Sequence, residues 1–135
     1  MNRYIVGGVI VFVLLIVSLS IFNGDLLEIV DRTTEIEVVD SEIDLGDIFY
    51  NIPKLVTFRV NNIGENPLLI EHLEPSCGCV KTEWKREPIG PGNYANIRVK
   101  YDAREIGFFY KTVIVYCNIQ KRRVRLSIKG KVVKQ

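Results

Sequence analysis

Histidine, methionine and tryptophan occur once each in this chain and cysteine three times, so chemistries that need several imidazole or thiolate groups have little to draw on. With His72 as the sole histidine, a His-Glu-x-x-His zinc helix is excluded. Neither Gly-x-Ser-x-Gly nor a phosphate-cradling glycine loop is present. Composition does not exclude a carboxylate pair for acid–base work, but Glu71 and Glu74 flank a strand end, where solvated acids are usual. We therefore expect no enzyme and no cofactor. Charge is missing as well: Tyr4 to Phe22 contains no charged residue, residues 121–135 contain no acid, and residues 23–53 contain Arg32 as their only base.

The uncharged run has a physical size. Nineteen residues from Tyr4 to Phe22 rise about 28 Å as a helix, close to the thickness of a hydrocarbon layer. The sequence predicts an N-terminal transmembrane helix within residues 1–22. Arg3 precedes it, and Asp25, Glu28 and Asp31 follow, which places the N-terminus in the cytoplasm and the rest outside. A cleaved signal peptide is the rival, with Ser18-Leu19-Ser20 as its cleavage site. Against it, Ile21 and Phe22 continue the apolar run and no alanine pair marks a cut. No cysteine follows for lipid attachment. Under either reading the folded part is exported, and the address expected is a single-pass cell-membrane protein with its domain periplasmic or at the cell surface.

The rest of the charge is segregated. Residues 23–53 hold nine acids and residues 121–135 hold seven bases. The plainer reading is that the first and last strands lie near each other in a sandwich and offset one another's charge, with Arg123, Arg125, Lys129 and Lys131 forming a solvated strand face that guards a sheet edge. The sharper reading makes those four residues an interaction stripe for a polyanion. Export argues against nucleic acid as a partner.

Period-two patterns follow the acidic segment. Val56, Phe58 and Val60 alternate with Leu55, Thr57 and Arg59; Ile97, Val99 and Tyr101 with Arg98 and Lys100; Val124, Leu126 and Ile128 with Arg123, Arg125 and Ser127. Further strands are expected at Ile36–Val39, Leu68–Leu73, Val80–Trp84 and Phe108–Cys117, separated by turns rich in Gly, Pro, Asn and Asp. About seven short strands in about a hundred residues predict an all-β, Ig-like antiparallel β-sandwich. It is expected to span residues 36–135, joined to the membrane segment by a stalk at 23–35 in which Asp25 to Thr34 is weakly amphipathic.

Two of the three cysteines stand one glycine apart in Ser76-Cys77-Gly78-Cys79-Val80. Three in an exported chain allow one disulfide and one leftover thiol. A Cys77–Cys79 bond closes a very small ring and suits thiol exchange. Alternatively both thiolates clasp Cu(I) or Zn(II), with His72 as a third ligand. In the plainest reading the pair packs a tight crossover beside Trp84, since cysteine behaves well as a small buried hydrophobe. Cys117 shares its parity with Val113 and Val115 and is expected inside. Trp84 is expected in the core or as a lid over the cysteine loop.

Motif order adds a family. Phe58-Arg59-Val60-Asn61-Asn62-Ile63-Gly64, then Asn66-Pro67-Leu68-Leu69-Ile70, then Ser-Cys-Gly-Cys, Trp84 and Pro88-Ile89-Gly90-Pro91-Gly92 resemble the bacterial Ig-like family called domain of unknown function 1573, over Ile36 to Val133. The family is similar to Ig-like domains of ciliary and centrosomal proteins, which implies an assembly role by analogy. One departure from antibody domains stands out: Cys77 or Cys79 to Cys117 spans only about forty residues, so the resemblance does not support an inter-sheet disulfide. The expected function is a membrane-anchored, extracytoplasmic module that binds or scaffolds envelope proteins. The alternative is a thiol site at Cys77 and Cys79 for copper, zinc or disulfide exchange.

Overall fold

The computed structural model describes residues 2–27 and 32–135, with side chains of the N-terminal helix described from Ile5 to Ser18. It falls into two compact units, Met1–Arg32 and Thr33–Gln135. The first is a single helix, α1 (Asn2–Leu27), whose described apolar side chains from Ile5 to Val17 are all exposed. The expectation of a transmembrane helix is met only as a helix: among the described residues none is long and apolar enough to cross a membrane. The stalk expected at 23–35 is described only in part. Residues 23–27 continue α1, residues 28–31 lie outside the described ones, and Thr34 is buried within the second unit, bridged to Ile119.

The second unit is two stacked four-stranded sheets. Its strands are β1 (Ile36–Val38), β2 (Glu42–Phe49), β3 (Lys54–Asn62), β4 (Ile70–Pro75), β5 (Val80–Glu83), β6 (Tyr94–Tyr101), β7 (Gly107–Cys117) and β8 (Arg123–Val133). One sheet runs β1-β3-β6-β5 and the other β2-β8-β7-β4. Alternation places Phe58 opposite Ile97 and Val56 opposite Val99 in the first sheet. In the second, Val113 faces Leu126 and Val115 faces Val124. Inward residues of both sheets meet in one core where Phe58, Ile97, Val99, Tyr101, Val115 and Leu126 are at most 1% exposed. The Tyr101 and Phe109 rings pack with centroids 4.5 Å apart. Burying side chains of this size is the main favourable term holding the sheets together, at roughly 1.5–3 kcal/mol each.

Two expectations need correction. There are eight strands rather than seven, and the sandwich is not wholly antiparallel, because β2 runs parallel to β8. The missed strand is β2, where acids at 42, 44 and 47 resemble a charge run. Its inward Ile43, Leu45 and Ile48 are half-buried or buried, and a register shift between Asp44 and Asp47 at Gly46 (φ 61°) breaks the simple alternation. The paired strand supplies the opposite charge. Asp44 sits across from Lys129 and Asp47 from Lys131, and Lys129 forms an ion pair with Glu42. The strand expected at Leu68–Leu73 starts later, at Ile70, and Leu68 instead forms a bridge with Ile89.

Candidate functional site

The cysteine loop is a crossover between sheets. β4 ends at Pro75, and Ser76 then hooks onto β7: its N–H donates to the Thr112 carbonyl at 2.8 Å and its Oγ accepts the Thr112 N–H at 3.1 Å. Cys77 and Cys79 form a disulfide, and both are half-buried against the core. Two backbone bonds deliver the chain into β5, Val80 N–H to the Cys77 carbonyl at 3.3 Å and Asp102 N–H to the Cys79 carbonyl at 3.1 Å. Gly78 points into open space. The loop is therefore fixed at both ends and exposed at its tip.

His72 does not join it. The imidazole is exposed on β4 and stacks on Tyr116, centroids 5.7 Å apart. Among the described residues no three His, Cys, Asp or Glu side chains gather as a metal ion needs. Cys117 is a buried free thiol that pairs across from Ile70, five residues along β7 from the Thr112 hook and so about 16 Å away. Burial, helped by the Glu71 carboxylate, pushes its pKa up to about 11. It is a core residue and poorly nucleophilic.

The four basic residues of β8 separate into two settings. Arg123 and Arg125 border a shallow groove of about 700 Å³ with Glu74, Ser76, Thr112 and Tyr116, across which the Tyr116 hydroxyl donates to Glu74 at 2.8 Å. Lys129 and Lys131 lie further along, beside Asp44, Asp47, Phe108 and Tyr110. There the hydrogen bond from Lys129 lowers the Glu42 pKa and raises that of Lys129. Lys131 sits over the Phe108 ring at 5.1 Å, and that ring is 87% exposed. Because acids of β2 flank the two lysines, the stripe does not present one uniform positive field.

A larger groove, about 800 Å³, lies where β5 ends. Trp84 forms part of its wall and packs against the core. It is half-buried, its indole N–H donates to the Ile70 carbonyl at 3.4 Å, and the Arg86 guanidinium covers its ring at 5.1 Å. Tyr94, half exposed, lies on the groove's other side beneath Arg59, 4.2 Å from the ring centre.

Sequence reasoning missed the residue that frames this groove. Asn62 is 1% exposed. Its Oδ1 accepts the Thr34 hydroxyl at 2.7 Å and the Gly64 N–H at 3.2 Å, while its Nδ2 donates to the carbonyls of Asn66 and Ile89 at 2.8 Å each. Gly64 is required beside it, since a Cβ there would meet Thr34 Oγ1 at 2.2 Å and Glu35 N at 2.5 Å. The signal in the sequence is Asn62-Ile63-Gly64 at the end of β3, which reads as a turn and as part of the family motif but not as a hub.

Comparison with known proteins supports the fold. A family model described as protein of unknown function (DUF1573) matches residues 36–132. Among solved structures, a protein of unknown function from Porphyromonas gingivalis W83 is similar at 19% identity and TM-score 0.66, over 75% of this chain and 48% of that one. This chain thus spans about half of the Porphyromonas protein. The ASH / PapD-like domain 7 of human CEP192 is similar at 12% identity and TM-score 0.63, over 77% and 89%. The Vibrio cholerae VesB protease is similar at 14% identity and TM-score 0.59, over 77% and only 33%. At these identities the likeness is one of fold. No curated protein matches in sequence.

Proposed function

The chain belongs to the DUF1573 family of proteins of unknown function, and from that premise we propose that it is a membrane-anchored Ig-like or PapD-like module that binds or scaffolds proteins outside the cytoplasm. The observation that carries the reading is α1. Every apolar side chain described along it, on all sides of the helix, is exposed, and a helix apolar all round needs a core or a membrane to cover it. The uncharged run continues to Phe22, which brings its length to that of a span. Arg3 before and Asp25 after orient it with the sandwich outside. A disulfide at Cys77–Cys79 suits an oxidising compartment. The sandwich then acts through its grooves and exposed aromatics, which include Phe108 and Tyr94.

Photo-crosslinking in intact membranes tests the binding claim. A crosslinking amino acid is placed in turn at exposed positions such as Glu87, Phe108, Arg123 and Lys131. The expected result is adducts of reproducible mass from positions that share one surface. Absence of any adduct from every position contradicts a binding module.

The bridged pair also supports a second reading, in which Cys77 and Cys79 exchange their disulfide with a partner thiol. It weighs against the metal version of that reading, because bridged sulfurs offer no thiolate. Metal analysis of the chain purified without chelator separates the two, and stoichiometric copper or zinc would favour the metal site.

A further inference from the structure

One strand of the sandwich has a side that is half covered. β3 pairs with β6 over Tyr94 to Tyr101, whereas β5 covers only Arg98 to Tyr101. After Glu83 the chain leaves β6. Trp84 turns its N–H to Ile70, and Leu68 and Ile89 exchange backbone hydrogen bonds of 2.8 and 2.9 Å, which hold the departing segment to the chain before β4. It rejoins β3 at Gly92 and Asn93: the Gly92 N–H donates to the Asn62 carbonyl at 2.9 Å and the Asn93 carbonyl accepts the Asn62 N–H at 2.8 Å. The space left open is the 800 Å³ groove, bordered by Tyr94, Ala95 and Asn96 of β6 and by Trp84, Pro88 and Ile89.

Parity decides which main-chain groups face this space. In an antiparallel strand the N–H and C=O of one residue point to the same side and those of the next residue to the other. Gly92 and Asn93 both oppose Asn62, and beyond this bulge the bond from Asn62 to Asn93 and the regular register show that odd-numbered residues face β3, while the bond from Asp102 to Cys79, on the β5 side, shows that even-numbered residues face the other way. The two observations agree. Tyr94 and Asn96 therefore turn their N–H and C=O groups into the groove, and among the described residues these groups have no backbone partner. Other sheet edges are blunted: β1 is three residues long, β2 carries acids and a register shift, and β4 ends in Pro75.

Donors and acceptors that alternate along an extended backbone are matched by another extended backbone. We propose that the groove is a strand-addition site, in which an extended segment of a partner protein continues the path of β5 along β6. It hydrogen-bonds to Tyr94 and Asn96 and lodges one apolar side chain, opposite Ala95, against Trp84 and Ile89. Flanking polar side chains lie over the Arg98–Glu83 ion pair, 3.1 Å long. The proposal rests on the binding-module reading and specifies its site and ligand class.

The test uses the full chain in detergent micelles and amide hydrogen exchange. In the free protein Tyr94 and Asn96 should exchange roughly a hundredfold or more faster than Ala95 and Ile97, whose N–H groups face β3. Synthetic peptides taken from a phage-displayed library of random linear dodecapeptides selected on the chain should slow Tyr94 and Asn96 specifically. Asn96→Pro removes one groove-facing N–H without touching the ladder to β3, and should weaken those peptides about tenfold or more. N-methylation of the peptide residue that faces Asn96 tests the same contact with the chain unaltered and should weaken binding equally. The proposal is overturned if Tyr94 and Asn96 are as protected as their neighbours in the free chain, if no selected peptide protects them, or if chitohexaose protects them and peptides do not. Membrane crosslinks from Phe108 or Arg123, together with Tyr94 and Asn96 that stay unprotected when every selected peptide is present at saturation, would sink the groove and leave the binding module standing. Loss of all crosslinks would sink both.

Discussion

Replacing Asn62 by leucine removes a buried polar hub while keeping the same branched heavy-atom skeleton, so the cost comes from lost hydrogen bonds rather than from a cavity. Four are lost: to the Thr34 hydroxyl, the Gly64 N–H and the carbonyls of Asn66 and Ile89. At about 0.5–1.5 kcal/mol each the sum is about 2–6 kcal/mol. The lower half of that range is expected, because the Gly64 N–H keeps the Glu35 carbonyl at 3.1 Å and the Ile89 carbonyl keeps the Leu68 N–H at 2.8 Å, so the loss falls mainly on the Thr34 hydroxyl and the Asn66 carbonyl. Against the roughly 5–15 kcal/mol that holds a typical domain together, this is severe. Trp84 is the only tryptophan and lies next to Ile89 along the same groove, so denaturant titration followed by its fluorescence reads the affected region. Asn62→Asp separates the two halves of the hub: it keeps an acceptor for Thr34 and Gly64 but sets a carboxylate against two carbonyls, and should be at least as damaging as leucine. A loss below about 1 kcal/mol for Asn62→Leu would refute the claim that this network joins the β3 end to the groove wall.

Truncating Phe58 to alanine should cost about 3–5 kcal/mol, against under about 0.5 for Arg125→Ala, in the same denaturation experiment; equal tolerance of the two would contradict the core assignment. The Cys117 thiol ionises near 11 in the fold and near 8.5 when unfolded. Its contribution is thus complete below about pH 8.5 and is lost as pH rises toward 11, on the order of 3 kcal/mol in all. Denaturation midpoints should fall over that window, and fall less in Cys117→Ala; identical slopes would show that Cys117 is not the cause. Changing Cys77 and Cys79 together to serine should cost about 1–3 kcal/mol, mostly from burying hydroxyls, since a three-residue ring restrains the unfolded chain very little. Partner crosslinks should survive that change, and their loss with full stability would move the function to the disulfide.

Most of the strands were legible because their inward residues repeat with period two and their turns carry Gly, Pro or Asn. β2 was not, because outward acids and the shift at Gly46 mask the inward set of Ile43, Leu45 and Ile48. Its parallel pairing with β8 depends on which strands end up adjacent, which local pattern does not encode, although the complementary charges of the two segments already pointed to their proximity. The cysteine crossover was visible as a motif, and the isolation of His72 was not, since five residues of sequence say nothing about which way a strand turns its side chains after a bulge. Asn62 was visible as a letter but not as a hub. Its four partners are drawn from residues 34, 64, 66 and 89, and only the fold brings them together. The open side of β6 likewise follows from where β5 departs, at Trp84, rather than from any residue type.

Location tests the central claim most directly. With a small epitope tag placed after Gln135, protease is added to intact cells, or to cells with a permeabilised outer membrane where there are two membranes, and both ends of the chain are followed. The account predicts that the C-terminal tag is cleaved away while the N-terminus stays protected and membrane-bound. A tag that remains intact until the inner membrane is broken would contradict export of the sandwich, and with it the proposal that this chain works outside the cytoplasm.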